Sequence, residues 1–148
     1  MAIPQFTPAG NLPPGVHWAD WPEFEARFGY SAYRKRLLAG LLDGLYLLLR
    51  AGCETAYIDG SFVTAKAEPG DFDACWEISS VDDTLVDPIF FIFDRKRAAQ
   101  KARFLGEFFP AEWPEAVSGR TWLEFFQIDK DTGEAKGIVA IDLRRLRQ

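Results

Sequence analysis

Histidine and cysteine are both scarce in this chain, and each scarcity closes off a kind of chemistry. The single histidine, His17, sits in a proline-rich stretch, so acid–base catalysis built on imidazole has little support. The two cysteines, Cys53 and Cys75, belong to no Cys-x-x-Cys pair and no Cys/His cluster. That argues against a structural zinc site and for two buried free thiols in a reducing compartment. No apolar run approaches the roughly 20 residues of a membrane span. Met1 to Pro14 has neither the basic start nor the apolar block of a signal peptide, and the sequence reads as cytoplasmic. Positive charge is not in excess either: 17 Lys and Arg against 22 Asp and Glu give a formal charge of −5. A protein that simply coats nucleic acid is usually basic over one face; a local basic patch remains compatible. Internal repeats and low-complexity segments are absent.

What the chain has in quantity is aromatic side chains, 13 Phe and 5 Trp among 148 residues. They predict a core or a partner surface built on large flat groups. Hydrophobic residues at 48% and charged residues at 26% are ordinary for a globular protein, and the length suits one domain with one core.

The first nineteen residues carry Pro4, Pro8, Pro13 and Pro14, with Pro22 shortly after; such a stretch is neither helix nor central strand, and it reads as an extended arm lying over the body. Asp20-Trp21-Pro22-Glu23 is a helix start for a short helix to about Phe28. From Ser31 to Arg50, Leu37, Leu38, Leu41, Leu42, Leu45, Leu48 and Leu49 recur at helical spacing, and Gly52 is placed to end the helix. Thr55–Ile58 and Phe72–Ile78 read as strands, separated by the turn signal Pro69-Gly70. Asp94 reads as the cap of a basic helix to about Phe108. Thr121–Ile128 and Gly137–Leu143 read as a hairpin around Asp131-Thr132-Gly133. The expectation is an α+β domain over 1–148, a mixed β-sheet flanked by helices, with the long helices on one face.

The chemistry gathers between the first two strands. Residues two apart on a strand share a face, so Asp71 and Asp73 present two carboxylates side by side while Phe72 enters the core. Two carboxylates this close repel, and a shared divalent cation resolves the repulsion. Gly60-Ser61, at the end of the preceding strand, lets backbone approach a phosphate and offers a hydroxyl and an N–H; a helix beginning there would add a favourable dipole. Metal and fixed donors together are what phosphoryl chemistry needs.

Gly-Ser, a gap of this size, then Asp-x-Asp between apolar residues resembles the signature of the DNA polymerase β-type nucleotidyltransferase superfamily. Asn11–His17, Asp59–Thr64 and Lys136–Leu143 extend the resemblance to a group of small, largely uncharacterised bacterial proteins with that fold. The resemblance implies Mg2+ (or Mn2+) held by Asp71 and Asp73, an NTP cradled by Gly60 and Ser61, and transfer of a nucleoside monophosphate to a protein, RNA or small-molecule acceptor. A third carboxylate completes such a site. Glu124, an acid interrupting the apolar run Trp122–Phe126, is the best match, although aspartate is usual there; Asp142 is the alternative. Small members of the superfamily often work in toxin–antitoxin or phage-defence pairs, which points to a protein partner. The competing expectation is a non-catalytic module of the same fold that docks a partner, and a plain interaction domain stands behind both.

Other polar groups read more blandly. The basic run Arg95–Arg103 is either a solvated helix face or a rim for phosphates. Asp82, Asp83 and Asp87 form a solvated acidic loop. Asp59 either caps the turn or stands behind the metal ligands. Ser61 lacks a histidine near it in sequence and is not expected to be a nucleophile.

Overall fold

A computed structural model describes residues 3–146. Its elements follow from local signals. Asp20 accepts from the Glu23 N–H and opens α1 (Trp21–Phe28). Ser31 accepts from the Arg34 N–H and opens α2 (Ala32–Arg50), whose Leu37, Leu38, Leu41, Leu45 and Leu48 are buried. Burial of each such side chain contributes roughly 1.5–3 kcal/mol.

The sheet has five strands in the order β1-β5-β2-β3-β4, with β1 Gly15–Ala19, β2 Thr55–Asp59, β3 Phe72–Trp76, β4 Gly106–Pro110 and β5 Gly137–Asp142. β1 runs parallel to β5 and β3 parallel to β4, while β2 is antiparallel to both of its neighbours. The expected α+β class and mixed sheet are present. One face, carrying Ala56, Ile58, Phe72, Ala74, Trp76, Phe108, Val139 and Ile141, packs with α1, α2 and α3 (Asp94–Phe104) into the main core. Phe90, Phe104 and Phe108 meet there with ring centroids 5.2–5.6 Å apart. The opposite face carries Tyr57, Cys75, Phe109, Ile138 and Ala140 under Trp122, Leu123 and Phe126.

Three expectations need correction. Residues 15–19 of the supposed arm are an edge strand, where proline on the approach does no harm to a ladder; Met1 and Ala2 lie outside the described residues. The basic helix stops at Phe104 rather than Phe108, because Leu105 turns left-handed (φ 67°) and Gly106-Glu107-Phe108-Phe109 forms a strand. Thr121–Ile128 is not a strand. Thr121 and Glu124 form a capping box that winds Trp122–Phe125 into a single helical turn, α4. Of the hairpin, the turn survives, with Gly133 donating to the Asp129 carbonyl at 2.7 Å and a lone bridge between Ile128 and Ala135.

Among the described residues no helix is long and apolar enough to cross a membrane. Cys53 and Cys75 are buried and free.

Candidate active site

Strand register brings acids together at one end of the second sheet face. Asp59 pairs directly with Asp73 across β2 and β3, and Asp73 with Glu107 across β3 and β4. Directly paired residues hold their Cβ atoms about 4.5–5.5 Å apart, so three carboxylates stand in a row across three strands. Asp71, two residues before Asp73, joins them from the entry to β3.

Burial and mutual repulsion govern this row. Asp59 is fully buried, its Oδ1 has no hydrogen-bond partner, and its Oδ2 lies 3.9 Å from the Cys75 thiol. Desolvation first, then the charges of Asp73 and Glu107, hold its carboxyl well above the usual range, against the pull of Lys136. Asp73 is raised to about 7 by burial, then by Asp71 and Glu107. Asp71 is raised by burial and by Glu107. Glu107 itself is ion-paired: Arg97 Nε lies 3.0 Å from one oxygen and Lys101 Nζ 2.8 Å from the other. Arg97 reaches it from a turn in which Arg95, Lys96 and Arg97 all adopt left-handed backbone, a conformation that costs L-residues roughly 1–2 kcal/mol each.

Gly60 closes the row from above. Its φ of +77° disfavours any side chain, and a Cβ there would stand 2.4 Å from Asp73 Oδ2. The Gly60–Val63 segment is one short 3-10 turn rather than the start of a helix.

Asp71, Asp73, Gly60 and Ser61 all line one cleft of about 590 Å3, a size typical of small-ligand sites. Four cations join them: Lys66, Arg120, Lys130 and Lys136. Among the described residues the ion pairs engage Arg97, Lys101, Arg103 and Arg144, so none of the four cations of the cleft lies within ion-pair distance of a described carboxylate. Phe125, Phe126 and Ile128 give another part of the wall an apolar surface, and Asn11, bonded to Asp129 at 3.0 Å, forms a polar portion.

Gly60-Ser61 and the two aspartates, paired in the sequence, thus line the same cleft. Neither proposed third acid belongs to it. Glu124 is exposed, and its Oε1 accepts from the Thr121 N–H at 2.9 Å, so the capping box explains its place in an aromatic run. Asp142 pairs with Thr55 at the far end of β5 and is held by Arg144 at 3.0 Å. Glu107 stands beside Asp73 on the neighbouring strand β4, without itself lining the cleft. Its only local signal is an acid directly before Phe108-Phe109; the parallel pairing of β4 with β3 is what sets it beside Asp73. Asp59 belongs to the row, behind Asp73. The acidic loop is structural, with Asp82 capping Thr84 and Asp87 capping Ile89 while pairing with Arg103. His17 bonds to the Pro13 carbonyl on the edge strand.

Hard oxygen donors on Asp71 and Asp73, facing a cation-lined cleft, fit a magnesium ion that draws its remaining ligands from phosphate and water. Behind them the Oδ1 of Asp59 is buried without a hydrogen-bond partner. A ready cage is not formed: among the described residues no three His, Cys, Asp or Glu groups converge on a metal position.

The chain belongs to a family of unknown function (DUF6932), whose model matches residues 4–142 and so includes every strand and the whole acidic row. No curated protein and no solved structure matches it.

Proposed function

We propose that this protein is a nucleotidyltransferase, which binds a nucleoside triphosphate with magnesium and moves its nucleoside monophosphate to an acceptor hydroxyl on a protein, an RNA or a small molecule. The observation that carries this reading is a single cleft holding two hard carboxylates, a glycine-serine turn, four cations and an apolar wall. A triphosphate needs the charged portion and a flat base needs the apolar one. Asp71 and Asp73 would hold the metal, with Glu107 as the third carboxylate. The ion supplies charge neutralisation at the phosphates when bound.

The residues of the chain supply the rest. Gly60 and Ser61 take phosphate oxygens with backbone and hydroxyl, and Lys66 and Lys136 add charge across the cleft. Phe125 and Phe126 face the base. The acceptor oxygen bonds to the α-phosphorus, the bond to the bridging oxygen breaks, and pyrophosphate leaves with that electron pair. The proton of the acceptor passes to a carboxylate of the row as the new bond forms.

A second reading has its own observation. Both oxygens of Glu107 are engaged by Arg97 and Lys101, which favours a module that binds nucleotide without turnover and docks a partner protein. Calorimetry with each triphosphate and Mg2+ tests what the two share. Binding to the wild type that is lost in Asp71→Asn/Asp73→Asn is expected; no binding of any triphosphate by the wild type would end both.

A further inference from the structure

The loop between Ser61 and Asp71 carries the phosphate-facing groups yet has almost no regular structure of its own, a four-residue 3-10 turn followed by coil. Something else must hold its shape. Arg34, on α2, is fully buried and has no carboxylate in ion-pair distance among the described residues. A buried guanidinium without such a partner needs its N–H groups filled. They are filled by the loop. Arg34 donates to the carbonyls of Phe62 (2.9 Å), Lys66 (2.7 Å) and Ala67 (3.2 Å), and to that of Phe28 at the end of α1 (3.0 Å). The ring of Phe62 lies 4.6 Å from its Cζ.

Three loop carbonyls, spread from residue 62 to residue 67, thus converge on one cation. The first follows Ser61 directly. The second belongs to Lys66, which lines the cleft. Neighbouring Tyr33 donates its hydroxyl to the Pro69 carbonyl, two residues before Asp71, and Ala65 donates to the Gly10 carbonyl at 2.9 Å. Arg34 itself does not line the cleft.

We infer that Arg34 is a positioning residue for nucleotide binding: through its carbonyl contacts it sets where Gly60, Ser61 and Lys66 stand relative to the carboxylates of β3. The inference rests on the nucleotidyltransferase reading. It separates two affinities that a merely structural role would move together. Asp73 is anchored in the β3 ladder, and Asp71 stands directly before the first residue of that strand, so the metal-facing pair keeps its geometry when the loop relaxes, whereas the triphosphate contacts do not.

The test uses the full chain with two probes, Mn2+ alone followed by electron paramagnetic resonance, and α,β-methylene analogues of the four triphosphates with Mg2+ followed by calorimetry. Arg34→Met is expected to weaken analogue binding about tenfold or more, since misplacement by an ångström is costly at such sites, while Mn2+ affinity stays within about twofold of wild type. Arg34→Lys, which keeps the charge but has fewer donors, is expected to fall between. Wild-type analogue affinity in a folded Arg34→Met, or equal losses for both probes, overturns the inference. Should Arg34→Met not fold, Arg34→Lys decides: weakened analogue binding with unchanged Mn2+ supports the positioning role, and unchanged analogue binding overturns it. If the wild type binds Mn2+ but no analogue, the nucleotide reading fails and takes this inference with it; wild-type binding with insensitive Arg34 variants leaves that reading intact and removes this one alone.

Discussion

Asp73→Asn is expected to change how the stability of the metal-free protein depends on pH. In the folded chain the Asp73 carboxyl is raised from 3.8 to about 7 by burial and by its acidic neighbours; in the unfolded chain it returns to the ordinary range. The native state therefore holds a proton that the unfolded state has released. A group of this kind gives its full contribution below about pH 4, and that contribution is lost as pH rises towards 7, after which it is flat. Each tenfold difference in proton affinity between the two states is worth about 1.36 kcal/mol, and with allowance for partial solvent access the loss is roughly 2–4 kcal/mol. Denaturant titrations in EDTA at intervals from pH 4.5 to 8.5 would read it: wild-type stability falls across this window more steeply than that of Asp73→Asn, so the variant gains on the wild type by that amount. Comparing slopes removes any fixed cost of placing an amide in the row. A divalent cation at a hundred times its dissociation constant should then return about 2.7 kcal/mol to the wild type at pH 8 and little to the variant. Parallel pH profiles for the two proteins would refute the reasoning.

Gly60→Ala should destabilise the fold by roughly 1–3 kcal/mol in chemical denaturation, since a left-handed alanine would also drive its Cβ to within 2.4 Å of the Asp73 carboxylate. Glu107→Gln should cost about 1–3 kcal/mol by leaving Arg97 and Lys101 without their carboxylate, and should abolish nucleotide transfer measured with labelled triphosphate. Glu124→Ala should lower the denaturation midpoint slightly through loss of the cap, with triphosphate affinity by calorimetry unchanged. Asp142→Asn should likewise leave that affinity unchanged, because Asp142 stands at the opposite end of the sheet from Asp73.

Much of the fold could be read directly from the chain. The helix start at Asp20, the leucine spacing of α2 and the alternation at Asp71-Phe72-Asp73 are local signals, and each matches the element formed. In two segments the local signals compete, and the less obvious one prevails. Phe108 and Phe109 follow a basic helical run, and the left-handed turn at Leu105 that separates them cannot be inferred from helix propensity. The aromatic run Trp122–Phe126 looks β-prone, yet Thr-x-x-Glu is a capping box and decides the conformation. The pairing of Gly60-Ser61 with the two aspartates is recoverable because both lie close in sequence across one loop. Glu107 and Lys136 are not, since parallel pairing of β4 and the return of β5 bring them in from 30 or more residues away. Arg34 carries no signal at all: an arginine on an amphipathic helix reads as solvated until the loop is seen folded around it.

The central claim is tested most directly by incubating the protein with each α-labelled triphosphate, Mg2+ and a lysate of acceptors, alongside Asp71→Asn/Asp73→Asn and Glu107→Gln. The account predicts label transferred by the wild type with release of pyrophosphate, and none above background with either variant. Transfer that persists unchanged when the β3 aspartates are replaced would contradict it.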